Sequence, residues 1–272
     1  MTLKGKTIFI SGCSRGIGRA MALRFASDGA NIIVTGKTDT PHKKLTGTIH
    51  TVAEEVKQAG GEALAIKLDV QDDVAIQDAV SKAADYFGGI DVLINNASAI
   101  SLTSTRQTKM KRFDLMMGVN VRATFACSKF CLPHLMKSEN PHILNIAPPL
   151  NMNPKWFKNH VAYTYSKYGM SVCTLGMSAE FSEHGVAVNS LWPATTIATA
   201  AVKYNFPSEF YNASRHPAIM SDAAYAIVSR TSRDCTGNFF IDEEVLRECG
   251  KNDLSEYMLD PSLDPIPDFF ID

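Results

Sequence analysis

At 272 residues, with 27 Lys and Arg against 28 Asp and Glu and a net charge of -1, the chain is long enough to bury one large core. Its charge balance gives no electrostatic case for nucleic acid or an anionic membrane surface. It holds no run of about 18 apolar residues, so no segment reads as a bilayer-spanning helix.

The chain enters a strand almost at once. Thr7-Ile8-Phe9-Ile10 is a short apolar run stopped by Gly12, and Met1 to Lys6 leave no room for a secretory leader. Similar runs follow at 31–35, 63–66, 92–94, 143–146, 186–188 and 238–241. They lack polar alternation and end in turn residues, as strands buried on both faces do. Helical patterns lie between them at 17–28, 48–59, 73–87, 110–137, 161–183 and 221–229. A polar stretch over 36–48, with Lys43 and Lys44 in it, reads as a long loop. Strands separated by crossover helices predict an α/β fold: a doubly wound (Rossmann) parallel sheet of about seven strands. The expected organisation is one domain over 1–249, with an acid-rich tail over 250–272 packed on it.

The six cysteines, Cys13, Cys127, Cys131, Cys173, Cys235 and Cys249, contain no CxxC pair and read as reduced thiols of a cytoplasmic protein. The seven histidines show no metal-ligand spacing, so no metal site is expected.

Ser11-Gly12-Cys13-Ser14-Arg15-Gly16-Ile17-Gly18 follows the first strand and opens the first helix. Glycines there let the backbone turn sharply and let a pyrophosphate approach, while the helix N-terminus offers free N–H groups. An acid at the end of the second strand would accept hydrogen bonds from the ribose hydroxyls of NAD. That place holds Gly36-Lys37. Lys37 there, with Arg15 in the glycine loop, favours the 2′-phosphate of NADP(H), with NAD(H) possible. Further on, Tyr163-Thr164-Tyr165-Ser166-Lys167 puts a phenol and an ammonium on one helix face. A nearby cation lowers a tyrosine pKa from its usual value near 10 and equips it for proton transfer.

The glycine spacing, Tyr163-x3-Lys167 and Asn95-Asn96-Ala97-Ser98 resemble short-chain dehydrogenases, over about 4–242. Within that family the wording of Asn95 to Leu102, Pro148-Pro149-Leu150-Asn151 and Pro267-Asp268-Phe269-Phe270 is similar to the hydroxysteroid dehydrogenase-like subgroup. Animal members carry an added sterol-carrier domain and a peroxisomal ending, and neither is expected here.

The resemblance implies catalytic roles for Tyr163, Lys167 and Asn120, the last holding a water in a proton relay. It implies cofactor contacts from Gly12, Ser14, Arg15, Gly16, Ile17, Gly18, Lys37, Asp69, Asn96, Ala97, Tyr163, Lys167, Pro193, Ile197 and Thr199. It also implies hydride transfer to or from a small hydrophobic alcohol or carbonyl, and a homodimer or homotetramer.

One departure stands out. The family's serine after the fifth strand falls here on Pro148 or Ala147, neither with a side-chain donor. Asn151 or Asn153 are the candidate replacements. Without a replacement, the alternative is a catalytically weak nucleotide-binding sensor or scaffold.

Overall fold

The computed structural model describes residues 1–42 and 45–272; Lys43 and Lys44 of the polar stretch lie outside the described residues. The strands are β1 (Thr7–Ile10), β2 (Asn31–Gly36), β3 (Glu62–Lys67), β4 (Val92–Asn95), β5 (His142–Asn145), β6 (Ala187–Trp192) and β7 (Phe239–Ile241). They form one seven-stranded sheet in the order β3-β2-β1-β4-β5-β6-β7, and every pairing is parallel. The order reverses at β1, between β2 and β4. Such a switch point opens a crevice at the carboxyl ends of the strands.

The helices cover both faces. Alternate strand residues point to opposite sides. Ile8, Ile10, Ile32 and Val34 pack with Met21 and Phe25 of α1 (Gly16–Ala26) and Val52 of α2 (Ile49–Gln58). Ala223 and Ile227 of α9 (Ala218–Val228) and Val245 of α10 (Asp242–Glu248) join that side. Phe9 and Ile33 turn the other way, toward Ile76 of α3 (Asp73–Phe87), Leu135 of α5 (Ala123–Leu135) and Met177 of α6 (Val161–Glu180). Each fully buried side chain of this size contributes about 1.5–3 kcal/mol.

Local chemistry sets the helix starts. Thr48 accepts from Thr51 N at 3.1 Å, while Thr51 Oγ1 accepts from Thr48 N at 2.8 Å, so two orphan donors of α2 are satisfied reciprocally. Asp72 accepts from Ala75 N at 3.1 Å and opens α3.

The structure departs from the sequence reading in three places. The helix read over 110–137 is α4 (Met110–Met116), a π-helical segment at Met117–Arg122 and α5. Strand β6 runs on to Trp192, past the apolar run at 186–188. Asn189 and Ser190 hid this, because they are polar yet buried: Asn189 Nδ2 donates to Cys235 O at 2.7 Å, and Ser190 Oγ lies 2.7 Å from Thr174 Oγ1. Three short helices, α7 (Ala200–Asn205), α8 (Ser208–Asn212) and α10, span too few turns to show a periodic pattern. Among the described residues no helix is long and apolar enough to cross a membrane, and no group of metal-ligating side chains comes together.

A buried histidine makes stability pH-dependent. His142 opens β5 at 1% exposure, with Nε2 3.0 Å from Arg230 O, so the neutral ring donates there. Burial pushes its pKa down to about 4. The folded value lies below the unfolded value of about 6.5. As pH falls below 6.5 the unfolded chain therefore takes up the proton first, and stability is lost progressively toward pH 4. Urea melts are expected to show about 2 kcal/mol less stability from this group near pH 5 than near pH 7.5. His142→Gln should flatten that slope, and an unchanged slope would contradict the assignment.

Candidate active site at the carboxyl ends of the strands

The glycine loop leaves β1 and clasps the loop after β4. Ser11 Oγ accepts from the backbone N–H groups of Asn96 and Ala97, each at 3.0 Å. Asn96 Nδ2 donates to Ser11 O and Gly12 O, each at 2.9 Å. Gly12 takes φ +69, and a Cβ on it would lie 2.9 Å from Ala97 Cα. A Cβ on Gly18 would lie 2.6 Å from both Asn96 Nδ2 and Gly12 O. Only glycine permits this approach, and it leaves the first turn of α1 open toward the crevice. No side chain caps that helix among the described residues. The cradle fits a pyrophosphate.

The cations nearby are engaged with the protein. Arg15 donates through Nε to Thr46 O and through Nη2 to Thr38 Oγ1 and Gly47 O, each at 3.2 Å. Lys37 pairs with Asp69 at 2.8 Å, and Asp69 also accepts from Gln71 N. Asp39, the first acid in sequence after β2, pairs with Lys67 at 2.8 Å.

Tyr163 and Lys167 stand one turn apart on α6 and are 6% and 2% exposed. Lys167 Nζ donates to Ile146 O at 2.6 Å and sits 4.9 Å over the Trp192 ring. Burial pushes its ammonium down to about 7. Burial also raises the Tyr163 phenol, and the Asp268 carboxylate adds to that rise. The expectation that Lys167 would lower the tyrosine is corrected here: burial dominates the phenol's shift, and Lys167 does not offset it. The phenol is held protonated, the form that donates a proton.

Asn120 lies in the π-helical segment, fully buried. Its Oδ1 accepts from Ala99 N at 2.7 Å; its Nδ2 donates to Ala99 O at 3.0 Å and to Ser166 Oγ at 2.8 Å. Ser166 in turn donates to Tyr163 O at 2.8 Å. Asn120 thus ties the loop after β4 to the turn that carries the tyrosine. π-Turns of this kind are frequent at functional sites.

A cavity of about 360 Å³ joins these parts. Ile17, Asn96, Tyr163, Lys167, Pro193, Ile197 and Thr199 all line it, so seven of the sequence-derived residues share one wall. Gly12, Ser14, Arg15, Gly16, Gly18, Lys37, Asp69 and Ala97 do not line it; they belong to the glycine loop, the end of β2 and the loops after β3 and β4. The rest of the wall is mainly apolar, with Ile100, Trp156, Phe206, Phe210 and Phe269. Of the aromatic pair at 156–157, Trp156 faces the cavity, whereas Phe157 packs edge-on against Tyr168 at 5.4 Å.

The suggestion that Asn151 or Asn153 replaces the missing serine is corrected. Asn151 Nδ2 donates to Asp272 at 2.8 Å, its Oδ1 accepts from Asn153 N, and Asn153 Oδ1 accepts from Lys155 N. Both amides are committed to the turn and the chain end, and neither lines the cavity.

Sequence reasoning missed Asp268 and Phe269, which the tail brings into the cavity wall. Thr196 N donates to Ile266 O at 2.9 Å, Asp268 N to Ala194 O at 3.0 Å, and Trp192 Nε1 to Phe269 O at 2.8 Å. The tail is therefore strapped over the end of β6. The available signal was an acid set within the apolar run Ile266 to Ile271.

Comparison with known proteins agrees with this geometry. The family model for short chain dehydrogenases matches residues 6–209. Hydroxysteroid dehydrogenase-like protein 2 of Danio rerio is 55% identical over 270 residues, which cover 99% of this chain and 65% of that protein. The chain thus spans just under two thirds of that relative's length. Among solved structures, a Xanthomonas campestris protein provisionally described as a dehydrogenase superposes with a TM-score of 0.97 at 50% identity, covering 100% of both chains. A short chain dehydrogenase of Mycobacterium thermoresistibile superposes with a TM-score of 0.94 at 46% identity, covering 100% of this chain and 96% of that one.

Proposed function

As the chain belongs to the short-chain dehydrogenase/reductase family, a family of oxidoreductases acting on CH–OH groups, we propose that it transfers hydride between NADP(H) and a hydrophobic secondary alcohol or carbonyl. The observation that carries the reading is that Tyr163 and Lys167, both buried, line an apolar cavity together with Ile17 and Asn96 of the nucleotide end. The nicotinamide supplies or accepts the hydride. The chain's own residues do the rest. Tyr163 gives its phenolic proton to the carbonyl oxygen in reduction and takes it back in oxidation. Lys167 holds charge beside it, steadied by Ile146 O and the Trp192 face. Asn120 fixes the tyrosine's turn through Ser166. Trp156, Phe206 and Phe210 exclude water and favour an apolar substrate. The protonated phenol suits the direction of carbonyl reduction.

NADP(H) is the favoured nucleotide because Lys37 and Arg15 stand at the end of β2, where the acids nearby, Asp69 and Asp39, are paired with Lys37 and Lys67. NAD(H) would lack the phosphate that these cations reward. Arg15→Ala is expected to weaken NADPH about tenfold or more in a fluorescence titration while changing NADH little. Equal losses for both nucleotides would contradict the 2′-phosphate role.

A second reading, a nucleotide-binding sensor with little catalysis, draws on Ala147 and Pro148, which offer no side-chain donor. It requires NADPH binding without turnover on any carbonyl. The exposed Phe125 of α5 and Tyr165, Val172 and Leu175 of α6 support a homodimer or homotetramer built on those helices. The reduced, mostly buried cysteines support a cytoplasmic setting.

A further inference from the structure

Asp268 is the one carboxyl among the residues lining the cavity. It lies half-buried between Pro267 and Phe269, on a strap fixed at Ala194, Trp192 and Thr196. Thr195 and Pro267 form an antiparallel bridge just before it. Among the described residues its side chain accepts one hydrogen bond, from Phe269 N to Oδ1 at 2.6 Å. The rest of the carboxyl is left for the cavity it lines. We propose that Asp268, protonated, supplies the site's second hydrogen-bond donor, pairing with the substrate oxygen beside Tyr163 where Ala147 and Pro148 cannot. The inference rests on the hydride-transfer reading above.

Three features support it. First, the place is shared: Tyr163, Lys167 and Asp268 line the same cavity, and neither Ala147 nor Pro148 brings a side-chain donor to it. Second, the surroundings shift the acid toward its neutral form. Burial raises Asp268, and the nearby Asp242 carboxylate raises it further, while the Phe269 N–H and Lys167 oppose; the result is about 7. Asp242 is itself held at the start of α10 by Ala194 N and Glu243 N, with its Oδ2 buried and unpartnered. The Arg215–Glu243 pair stands behind it, and on the α6 side His160 meets the Phe269 ring at 5.0 Å. A carboxylic acid kept neutral in an apolar site donates a strong hydrogen bond to a developing oxyanion. Third, the strap is rigid. Phe270, next but one in sequence, is fully buried against Trp156, Tyr163, Tyr168 and Trp192.

The sign follows. A protonated donor is lost as pH rises through its pKa, so carbonyl reduction should fall above about pH 7. Lys167 titrates in the same range, so substitution must separate the two. Asp268→Ala should lower kcat about a hundredfold with NADPH affinity unchanged. Asp268→Asn, which keeps an N–H donor but cannot titrate, should restore most of kcat and remove the share of the alkaline fall that Asp268 sets, leaving that of Lys167. An infrared titration of the apo protein should show a protonated carboxyl near pH 6 that Asp268→Asn abolishes.

Several results would overturn the inference: kcat unchanged in Asp268→Ala, an alkaline fall of the same midpoint and size in wild type and Asp268→Asn, or a carboxyl already ionised near pH 6. So would a loss that appears in Ser98→Ala instead, since Ser98 also lines the cavity. Thermal melts distinguish a displaced strap from a lost donor. If the wild type binds NADPH but reduces no carbonyl, the hydride-transfer reading itself falls. Turnover that dies in Tyr163→Phe but survives Asp268→Ala removes only the role of Asp268.

Discussion

Replacing Tyr163 with phenylalanine should slow carbonyl reduction about 10²–10⁴-fold and leave NADPH affinity nearly unchanged. The ring stays: Tyr163 is 6% exposed and packs against Phe270 and His160, so the variant keeps its apolar contacts and loses only the hydroxyl. The loss should appear in kcat, since the hydroxyl acts where charge develops on the substrate oxygen. Single-turnover oxidation of bound NADPH checks this. A variant that turns over like the wild type would remove Tyr163 from the chemistry.

Phe270→Ala should cost about 3–5 kcal/mol. Phe270 is fully buried, and its ring meets those of Trp156, Tyr163, Tyr168, Trp192 and Phe269 at centroid distances of 5.3 to 6.3 Å. It is also the described non-glycine residue with φ in the left-handed region, at 72°. Such a conformation persists where surrounding packing over-determines it. Removing the ring releases the strap that carries Asp268 and Phe269, so activity should fall along with stability. Differential scanning calorimetry should show Tm lower by about 6–12 °C. An unchanged Tm would mean that the tail is not part of the cooperative core.

The sheet was legible because its strands are buried on both faces, and such strands read as continuous apolar runs. Asp73–Phe87 matched its helix to the residue, with Asp72 before it and Gly88 after it as start and stop signals. Strand β6 was cut short because Asn189 and Ser190 are buried through hydrogen bonds that join residues 16 to 49 positions apart. No local pattern reports such a partner. The π-helical segment at Met117–Arg122 was hidden for the same reason: Asn120 within it bonds to Ala99 and Ser166, which lie 21 and 46 positions away.

The nucleotide cradle and the Tyr163–Lys167 pair were visible because their spacing is local. Asp268 was not, because it acts from the far end of the chain and reaches the site only through the strap at Ala194. The electrostatics were misread for a related reason. Spacing reveals that a lysine stands near a tyrosine, but only the folded chain reveals that burial dominates the shift of each.

Isotope transfer separates hydride transfer from nucleotide binding alone. The protein would be incubated with NADPH carrying deuterium at the reducing position of its nicotinamide and a panel of hydrophobic ketones and aldehydes, and the products read by mass spectrometry. Deuterium on the carbinol carbon of a product, absent with Tyr163→Phe, is expected. NADPH that binds yet is never oxidised, with no deuterium in any product, would contradict it and leave the nucleotide-sensing role in its place.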